Sequence, residues 1–279
     1  MRPSAPLVTD VLQPEWRYSN SRMYDNLFSL DGKVAAVIGG GGVLAGEMAL
    51  GLASYGAAVA VLDYNGEAAE RRAQQIRDQG GKAIAVQVDA TRREDLERAL
   101  DIILKEFGHV DILINAAGIN SDTPFLEITE EEWYRILDVD LKSVFLACQV
   151  FGKAMIEAGR GGSIINISSA SSGPPLSKVF TYSVAKAGVN QITQFLAREW
   201  APYNIRVNAI LPGFFPAEQN RRLLTPERTA KILGHTPMNR FGEPHELVGV
   251  TILLASEKAS SFITGAIIRV DGGFGAMTI

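Results

Sequence analysis

The chain has 279 residues, of which 47% are hydrophobic, and its 27 basic and 31 acidic side chains give a net charge of −4 at pH 7. This balance excludes wholesale disorder, and the slight acidic excess argues against nucleic acid or an anionic membrane as a partner. A single cysteine, Cys148, excludes an intramolecular disulfide and fits a cytoplasmic location, and the scattered histidines predict no metal site.

The first 27 residues show no clear hydrophobic period, and we predict an N-terminal extension, 1–27, followed by one domain over 28–279. The extension lacks the apolar core of a signal peptide. No run of about 18 apolar residues occurs in the chain, so the sequence predicts no transmembrane helix.

From residue 31 onward, short apolar runs alternate with amphipathic stretches. The runs are rich in Val, Ile and Ala, which is typical of strands buried on both faces of a parallel sheet. They predict seven strands: 33–38, 58–63, 83–89, 111–118, 163–169, 205–211 and 266–270. The stretches between them predict helices: 44–55, 66–79, 92–107, 129–158, 181–201, 219–233 and 243–256. This alternation predicts a single α/β domain with a doubly wound, parallel sheet.

A glycine-rich turn follows the first predicted strand, with the sequence Gly39-Gly40-Gly41-Gly42-Val43-Leu44. Glycines at such a turn let the backbone approach a pyrophosphate, which then lies at the helix N-terminus. Asp63 ends the second predicted strand, roughly 20 residues further on, where an acidic side chain accepts hydrogen bonds from the adenosine ribose. Because a carboxylate repels a 2′-phosphate, Asp63 predicts NAD rather than NADP. A tight turn without a ligand and a helix N-cap at Asp63 are the alternatives.

A second group of candidate residues lies in the middle of the chain. Tyr182 and Lys186 are four residues apart in a predicted helix, so they share one face. A phenol is a poor acid or base at neutral pH, and a neighbouring cation lowers its pKa. Ser169, at the end of the fifth predicted strand, adds a hydroxyl that can bind a carbonyl oxygen. Without Ser169, the spacing of Tyr182 and Lys186 is equally compatible with two solvated residues on the surface of a helix.

These features together resemble the short-chain dehydrogenase/reductase family over residues 30–275: the glycine-rich turn, Asp63, Asp89, Asn115-Ala116-Ala117-Gly118, Ser169, Tyr182-x-x-x-Lys186 and Pro212-Gly213. The resemblance implies a Rossmann-like fold, hydride transfer between a nicotinamide cofactor and a carbonyl/alcohol pair, and a homotetramer or homodimer. It implies that Tyr182 is the general acid/base, that Lys186 lowers its pKa and holds the nicotinamide ribose, and that Ser169 orients the carbonyl. It also implies a set of cofactor contacts: Gly39, Gly41, Gly42, Val43, Leu44, Asp63, Asp89, Ala90, Asn115, Ala116, Gly118, Tyr182, Lys186, Pro212, Gly213 and Phe215.

The second half of the chain, in 212–222, 236–244 and 270–274, is similar to the D-mannonate oxidoreductase (fructuronate reductase) branch of that family. Sugar-alcohol and gluconate dehydrogenases share parts of this pattern. The resemblance implies a polar, small-molecule substrate, a sugar or sugar acid, bound by Ser169, Ser171, Gln219, Asn220 and one or both of Arg221 and Arg222. A solvated helix start is the alternative for 218–228.

Four positions depart from the family pattern. Ile38 replaces the threonine of its Thr-Gly opening, and Val43 and Ala45 stand where it has glycines. We expect the added methyl groups to crowd the pyrophosphate of the cofactor. The absence of a side chain at Gly46 is expected to restore part of that space. Asp140 stands in place of a catalytic asparagine that holds a water next to the lysine, although an exposed helix position is the alternative.

The sequence therefore predicts an NAD-dependent oxidoreductase that acts on a secondary alcohol or ketone of a sugar or sugar acid. The departures leave open a non-catalytic or weakly active dinucleotide-binding regulator, since a fold alone does not fix a function. A reductase of apolar ketones or acyl thioesters is the third possibility, and the polar loop after Gly213 argues against it.

Overall fold

The computed structural model describes residues 24–173, 176–216 and 224–277. Seven parallel strands form one sheet in the order β3-β2-β1-β4-β5-β6-β7. The strands are β1 (Val34–Ile38), β2 (Ala58–Asp63), β3 (Ala83–Gln87), β4 (Ile112–Asn115), β5 (Gly162–Ile167), β6 (Ile205–Pro212) and β7 (Ile267–Val270). This topology confirms the predicted Rossmann-like, doubly wound single domain.

Helices connect the strands and cover both faces of the sheet. They are α1 (Val43–Ser54), α2 (Gly66–Asp78), α3 (Arg93–Phe107), α4 (Glu130–Leu137), α5 (Ser143–Ala158), α6 (Phe180–Trp200), α7 (Pro226–Gly234), α8 (Val248–Ala255) and α9 (Glu257–Ser260). One apolar layer packs α3, α5 and α6 against the sheet, and the other packs α1, α2 and α8 against its opposite face. Alternate residues of β1 enter the two layers, which explains why the whole strand is apolar.

The predicted helix 129–158 is interrupted. It consists of α4, a π-helical turn at Asp138–Lys142, and α5. A π turn inserts extra backbone into a helix and rotates the residues that follow it, and such turns are frequent at functional sites. The turn contains Asp140, which is completely buried. The prediction of one continuous helix was therefore wrong at the position that the site uses.

Two further predicted helices differ from the prediction at the start of their described parts. The predicted helix 219–233 is described only from Pro226, where the Thr225 side chain caps α7 by accepting from the Arg228 N–H. Residues 217–223 lie outside the described part of the chain. The predicted helix 243–256 opens with a 3₁₀ turn, Pro244–Leu247, before α8.

The start of the described chain is attached to the domain. Residues 24–28 form a turn, and the Ser256 hydroxyl donates to the Leu27 carbonyl at 2.7 Å. Leu30 is buried against the layer that contains α1. Residues 1–23 of the predicted extension lie outside the described residues, so its boundary stays a prediction. Among the described helices, none combines the length and apolar character needed to cross a lipid bilayer.

Candidate active site

The candidate residues converge on the edge of the sheet formed by the carboxyl ends of its strands. The chain reverses its direction of winding between β1 and β4, which are neighbours in the sheet. Ligands of doubly wound sheets bind in the crevice at this switch point. The glycine-rich turn follows β1, Asp63 ends β2, and Ser169 and Pro212-Gly213 lie at the ends of β5 and β6.

The glycine-rich turn is a cradle that side chains would fill. Gly39 has φ +79°, and a Cβ there would lie 2.9 Å from the Ala117 nitrogen. A Cβ at Gly41 would lie 2.8 Å from the Ala68 Cβ. Such a surface of bare backbone at the N-terminus of α1 fits the pyrophosphate of a dinucleotide.

Ala45, one of the departures from the family pattern, and the neighbouring Gly46 have different surroundings from the ones expected. Ala45 is buried among the apolar residues beneath α1, so its methyl group packs in the core. A Cβ at Gly46 would lie 2.3 Å from the Nε atom of Arg72, so Gly46 makes room for that guanidinium. The expectation that Gly46 returns room to the pyrophosphate was therefore wrong.

Asp63 binds the turn that follows the neighbouring strand. One carboxylate oxygen accepts the Gly41 N–H at 3.0 Å and the other accepts the Asn65 N–H at 2.9 Å. Each oxygen keeps a lone pair for a further donor, and the side chain is half-buried at the mouth of the crevice. Asn65, rather than Asp63, caps α2. The Asp63 carboxylate can therefore accept hydrogen bonds from the hydroxyls of a ribose.

Asp89 holds a tight turn after β3. One of its oxygens accepts from both the N–H and the hydroxyl of Thr91, at 2.9 and 2.7 Å. Ala90 is buried next to it. Their implied contacts with the adenine side of the cofactor stay predictions.

Asn115 points into the core instead of the crevice. Its Nδ2 donates to Asn166 at 2.8 Å, and Asn166 donates in turn to the Thr193 hydroxyl at 2.9 Å. This buried chain of polar groups links β4, β5 and α6. Only the backbone of Asn115, with Ala116 and Gly118, is left to contact a cofactor.

The proposed catalytic side chains lie together. Ser169 accepts from the Ser171 N–H at 3.2 Å and from the Ser171 hydroxyl at 3.0 Å. Tyr182 is half-buried on the first turn of α6, and the Lys186 Nζ lies 5.5 Å from the centre of its ring. Lys186 is buried and donates to the Ile167 carbonyl at 3.1 Å. The fold therefore brings the serine, the tyrosine and the lysine to one place.

Asp140 completes this group from the π-helical turn. Its Oδ1 lies 3.5 Å from the Lys186 Nζ, and its Oδ2 accepts the Ile119 N–H at 3.0 Å. Burial raises the pKa of the Asp140 carboxyl, and Lys186 acts in the opposite direction. A Cβ at Gly118 would lie 2.7 Å from Asp140 Oδ1, so glycine is required there. The alternative of an exposed helix position for Asp140 was wrong.

A cavity of about 130 Å³ opens beside these residues. Leu44, which follows the glycine-rich turn, lines it together with Ser169, Tyr182, Leu224 and Arg228. Ser171 and Phe215 also line it. The Phe215 ring is buried against Gly242, so little of its side chain is exposed to a cofactor. Its implied contact with the cofactor stays a prediction.

A family model described as enoyl-(acyl carrier protein) reductase matches residues 42–275, which is most of the chain. This match covers all the residues that line the cavity. The chain is a short-chain dehydrogenase/reductase. Members of this family are oxidoreductases that act on CH–OH groups, and the enzyme prediction is confirmed at that level.

Several relatives of this dehydrogenase are named for sugar-acid substrates, and others for the neutral polyols D-threitol and glycerol. The 2-dehydro-3-deoxy-D-gluconate 5-dehydrogenase of Escherichia coli is 38% identical over 248 residues, covering 88% of this chain and 97% of the relative. A Haemophilus influenza structure assigned as a D-mannonate oxidoreductase, with bound NAD, has 37% identity and a TM-score of 0.85 over 90% of this chain and 97% of that chain. A Burkholderia cenocepacia gluconate 5-dehydrogenase, in complex with NADP and tartrate, has 33% identity and a TM-score of 0.87 over 91% and 99%.

Sequence reasoning missed several residues that line this dehydrogenase's cavity, among them its cation, Arg228, and four predicted substrate contacts lie outside the described residues. Arg228 lines the cavity, yet nothing in the local pattern distinguishes it from the other charges of a surface helix. Gln219, Asn220, Arg221 and Arg222 lie outside the described residues, so their contacts with a substrate stay predictions.

Proposed function

We propose that this short-chain dehydrogenase/reductase interconverts a secondary hydroxyl of a sugar acid and the corresponding ketone, with NAD as the cofactor. The observation that carries the proposal is that Ser169 and Tyr182 line one cavity, with the Lys186 Nζ 5.5 Å from the centre of the Tyr182 ring. The sugar-acid relatives support the substrate class.

Ser169 orients the reacting oxygen of the substrate. Its oxygen accepts hydrogen bonds from the Ser171 N–H and hydroxyl, so its own hydroxyl hydrogen is left to donate. A substrate oxygen that accepts this hydrogen bond is held next to Tyr182, which also lines the cavity.

Tyr182 takes the hydroxyl proton during oxidation and returns it during reduction. The Lys186 Nζ lies 5.5 Å from the centre of the Tyr182 ring, so its positive charge is close enough to stabilise negative charge on the phenol oxygen. When bound, the nicotinamide ring accepts the hydride from the alcohol carbon or donates it to the ketone. Lys186 is fixed by the Ile167 carbonyl and Asp140, and one of its three N–H donors remains for a ribose hydroxyl of the cofactor.

Asp63 supports NAD over NADP. Related structures contain NAD in one case and NADP in another, so membership of the family does not fix which cofactor this chain uses. A half-buried carboxylate with free lone pairs accepts charge-assisted hydrogen bonds from two ribose hydroxyls and repels a 2′-phosphate. Among the described residues, no Lys or Arg forms an ion pair with Asp63 that would offset this repulsion.

The cofactor proposal is tested by the ratio of kcat/KM for NAD to that for NADP. Asp63→Ala also frees the Gly41 N–H, but both cofactors share that turn, so the ratio isolates the effect at the 2′ position. We expect the parent to prefer NAD and Asp63→Ala to lose most of the preference. Asp78→Ala, at the exposed C-terminal end of α2, is the control. Equal or better turnover with NADP in the parent contradicts the proposal.

The substrate proposal is tested with NAD over a panel of aldonates, alditols and apolar secondary alcohols. Each buried sugar hydroxyl left without a hydrogen-bond partner costs about 1–3 kcal/mol. A cavity that offers a partner to each hydroxyl of a sugar acid therefore selects strongly for that substrate over others. We expect an aldonate to give the highest kcat/KM. Turnover of apolar alcohols only would refute the sugar-acid assignment.

We also propose that the protein is a homodimer or homotetramer. Phe145 on α5 and Val184 and Phe195 on α6 are 47%, 38% and 66% exposed. Such apolar side chains on adjacent helices are available to pair across a two-fold axis. A monomeric mass by light scattering at micromolar concentration contradicts this assembly.

A further inference from the structure

The described lining of the cavity carries one positive charge. It consists of apolar side chains, serines, Asn120, Tyr182 and a single ionisable cation, Arg228. No carboxylate forms an ion pair with Arg228 among the residues that the structure describes. A half-buried guanidinium without an anion favours an anionic ligand in the cavity.

Arg228 is held in position by neutral acceptors. Its two terminal nitrogens donate to the Ser177 carbonyl at 3.2 Å and to the Ser177 hydroxyl at 3.4 Å. A guanidinium has five N–H donors, so others remain for a ligand. Ser177 precedes α6, the helix that carries Tyr182, and so it ties Arg228 to the element that bears the catalytic base.

The position of Arg228 in its helix indicates that it does not serve the stability of α7. It is the third residue of α7, where its backbone N–H donates to the capping Thr225. A cation at a helix N-terminus is unfavourable because it faces the positive end of the helix dipole. The favourable charge pattern is provided by Glu227 and Lys231, which pair at 2.7 Å and are both exposed.

We propose that Arg228 binds the carboxylate of the substrate and is the residue that selects sugar acids over neutral polyols. This inference rests on the proposed function. With the reacting hydroxyl at Ser169 and Tyr182, the substrate extends along the cavity and its carboxylate meets the guanidinium. Lys178, which follows Ser177 in the chain, pairs with Asp122 at 3.9 Å and does not line the cavity.

The test compares substrates that differ only at the charged group. D-gluconate is compared with D-glucitol and D-mannonate with D-mannitol, each with NAD, for the parent, Arg228→Ala and Arg228→Lys. Lys231→Ala, one turn further along the same helix and exposed, is the matched control. Because a charge-assisted hydrogen bond is lost, we expect Arg228→Ala to lower kcat/KM for the acids by about 10- to 100-fold, mainly through KM. We expect the alditols to be unaffected and Arg228→Lys to recover part of the loss.

A second readout needs no turnover. D-gluconate raises the Tm of the parent and of Lys231→Ala by binding the folded state, and we expect this shift to disappear in Arg228→Ala. An unchanged acid kcat/KM in Arg228→Ala, or an equal loss for acids and alditols, overturns the role of Arg228 while the parent's oxidation of the acids upholds the proposed function. A parent that oxidises neither acid overturns both.

Discussion

The buried Asp140–Lys186 pair makes a quantitative prediction about the pH dependence of the reaction. Asp140 is fully buried, and its carboxylate replaces the neutral amide that the family resemblance implies at this position. Burial raises the pKa of its carboxyl, and Lys186 opposes this effect by stabilising the charged form. Asp140→Asn keeps the shape of the side chain and removes its negative charge.

The size of the effect follows from two distances. The Lys186 Nζ lies 3.5 Å from Asp140 Oδ1 and 5.5 Å from the centre of the Tyr182 ring, so that carboxylate oxygen is no more than about 9 Å from the ring. At an effective dielectric constant of about 20, a unit charge at that distance contributes roughly 1.8 kcal/mol, which is equivalent to about 1.3 pH units. The Asp140 charge opposes negative charge on the Tyr182 oxygen, so its removal should shift the acid limb of alcohol oxidation down by about one unit.

The assay is kcat for NAD-linked oxidation measured from about pH 5 to about pH 10. Asp138→Asn is the control, because Asp138 belongs to the same π-helical turn but is half-exposed and pairs with Lys142 at 3.3 Å. We expect its profile to match that of the parent. An unchanged or upward-shifted acid limb in Asp140→Asn would refute the reasoning that a charged carboxylate opposes the base.

Three further predictions concern packing and reactivity. Burial raises the pKa of the Cys148 thiol to about 12, so a thiol reagent at about pH 8 should label it only after denaturation; labelling of the native protein would contradict this. A Cβ at Gly152 would lie 2.4 Å from the Trp200 ring, so Gly152→Ala should destabilise the protein by about 1–3 kcal/mol, and an unchanged Tm in calorimetry would argue against that contact. Gly41→Ala should abolish NADH binding in a fluorescence titration without unfolding the chain, because its Cβ would collide with Ala68, and binding at parental affinity would exclude this geometry.

Local sequence patterns were enough to predict the sheet and the candidate site residues at the carboxyl ends of its strands. Each strand is a short apolar run. This continuous pattern is typical of parallel strands, because they are buried on both faces of the sheet. Since such sheets place their ligands at the carboxyl ends, the positions of Ser169 and Asp63 followed from the strands alone. Tyr182 and Lys186 needed only the helical repeat to be placed on one face.

The rest depended on features that no single segment encodes. A π-helical turn buries Asp140 against a lysine more than 40 residues away, although its own segment is compatible with an exposed helix position. Arg228 reaches the cavity because of the cap at Thr225 and the loop that holds Ser177. Asn115 turns into the core because Asn166 and Thr193 offer it partners there. These outcomes are set by tertiary contacts.

The central claim is that Tyr182 moves the proton in NAD-linked oxidation of a sugar acid. The most direct measurement is NADH formation from D-gluconate or D-mannonate by the parent and by Tyr182→Phe, together with NADH binding to both. The account predicts turnover by the parent, a loss of about 10²–10⁴ in kcat in the variant, and unchanged NADH binding. Near-normal kcat in Tyr182→Phe would contradict it.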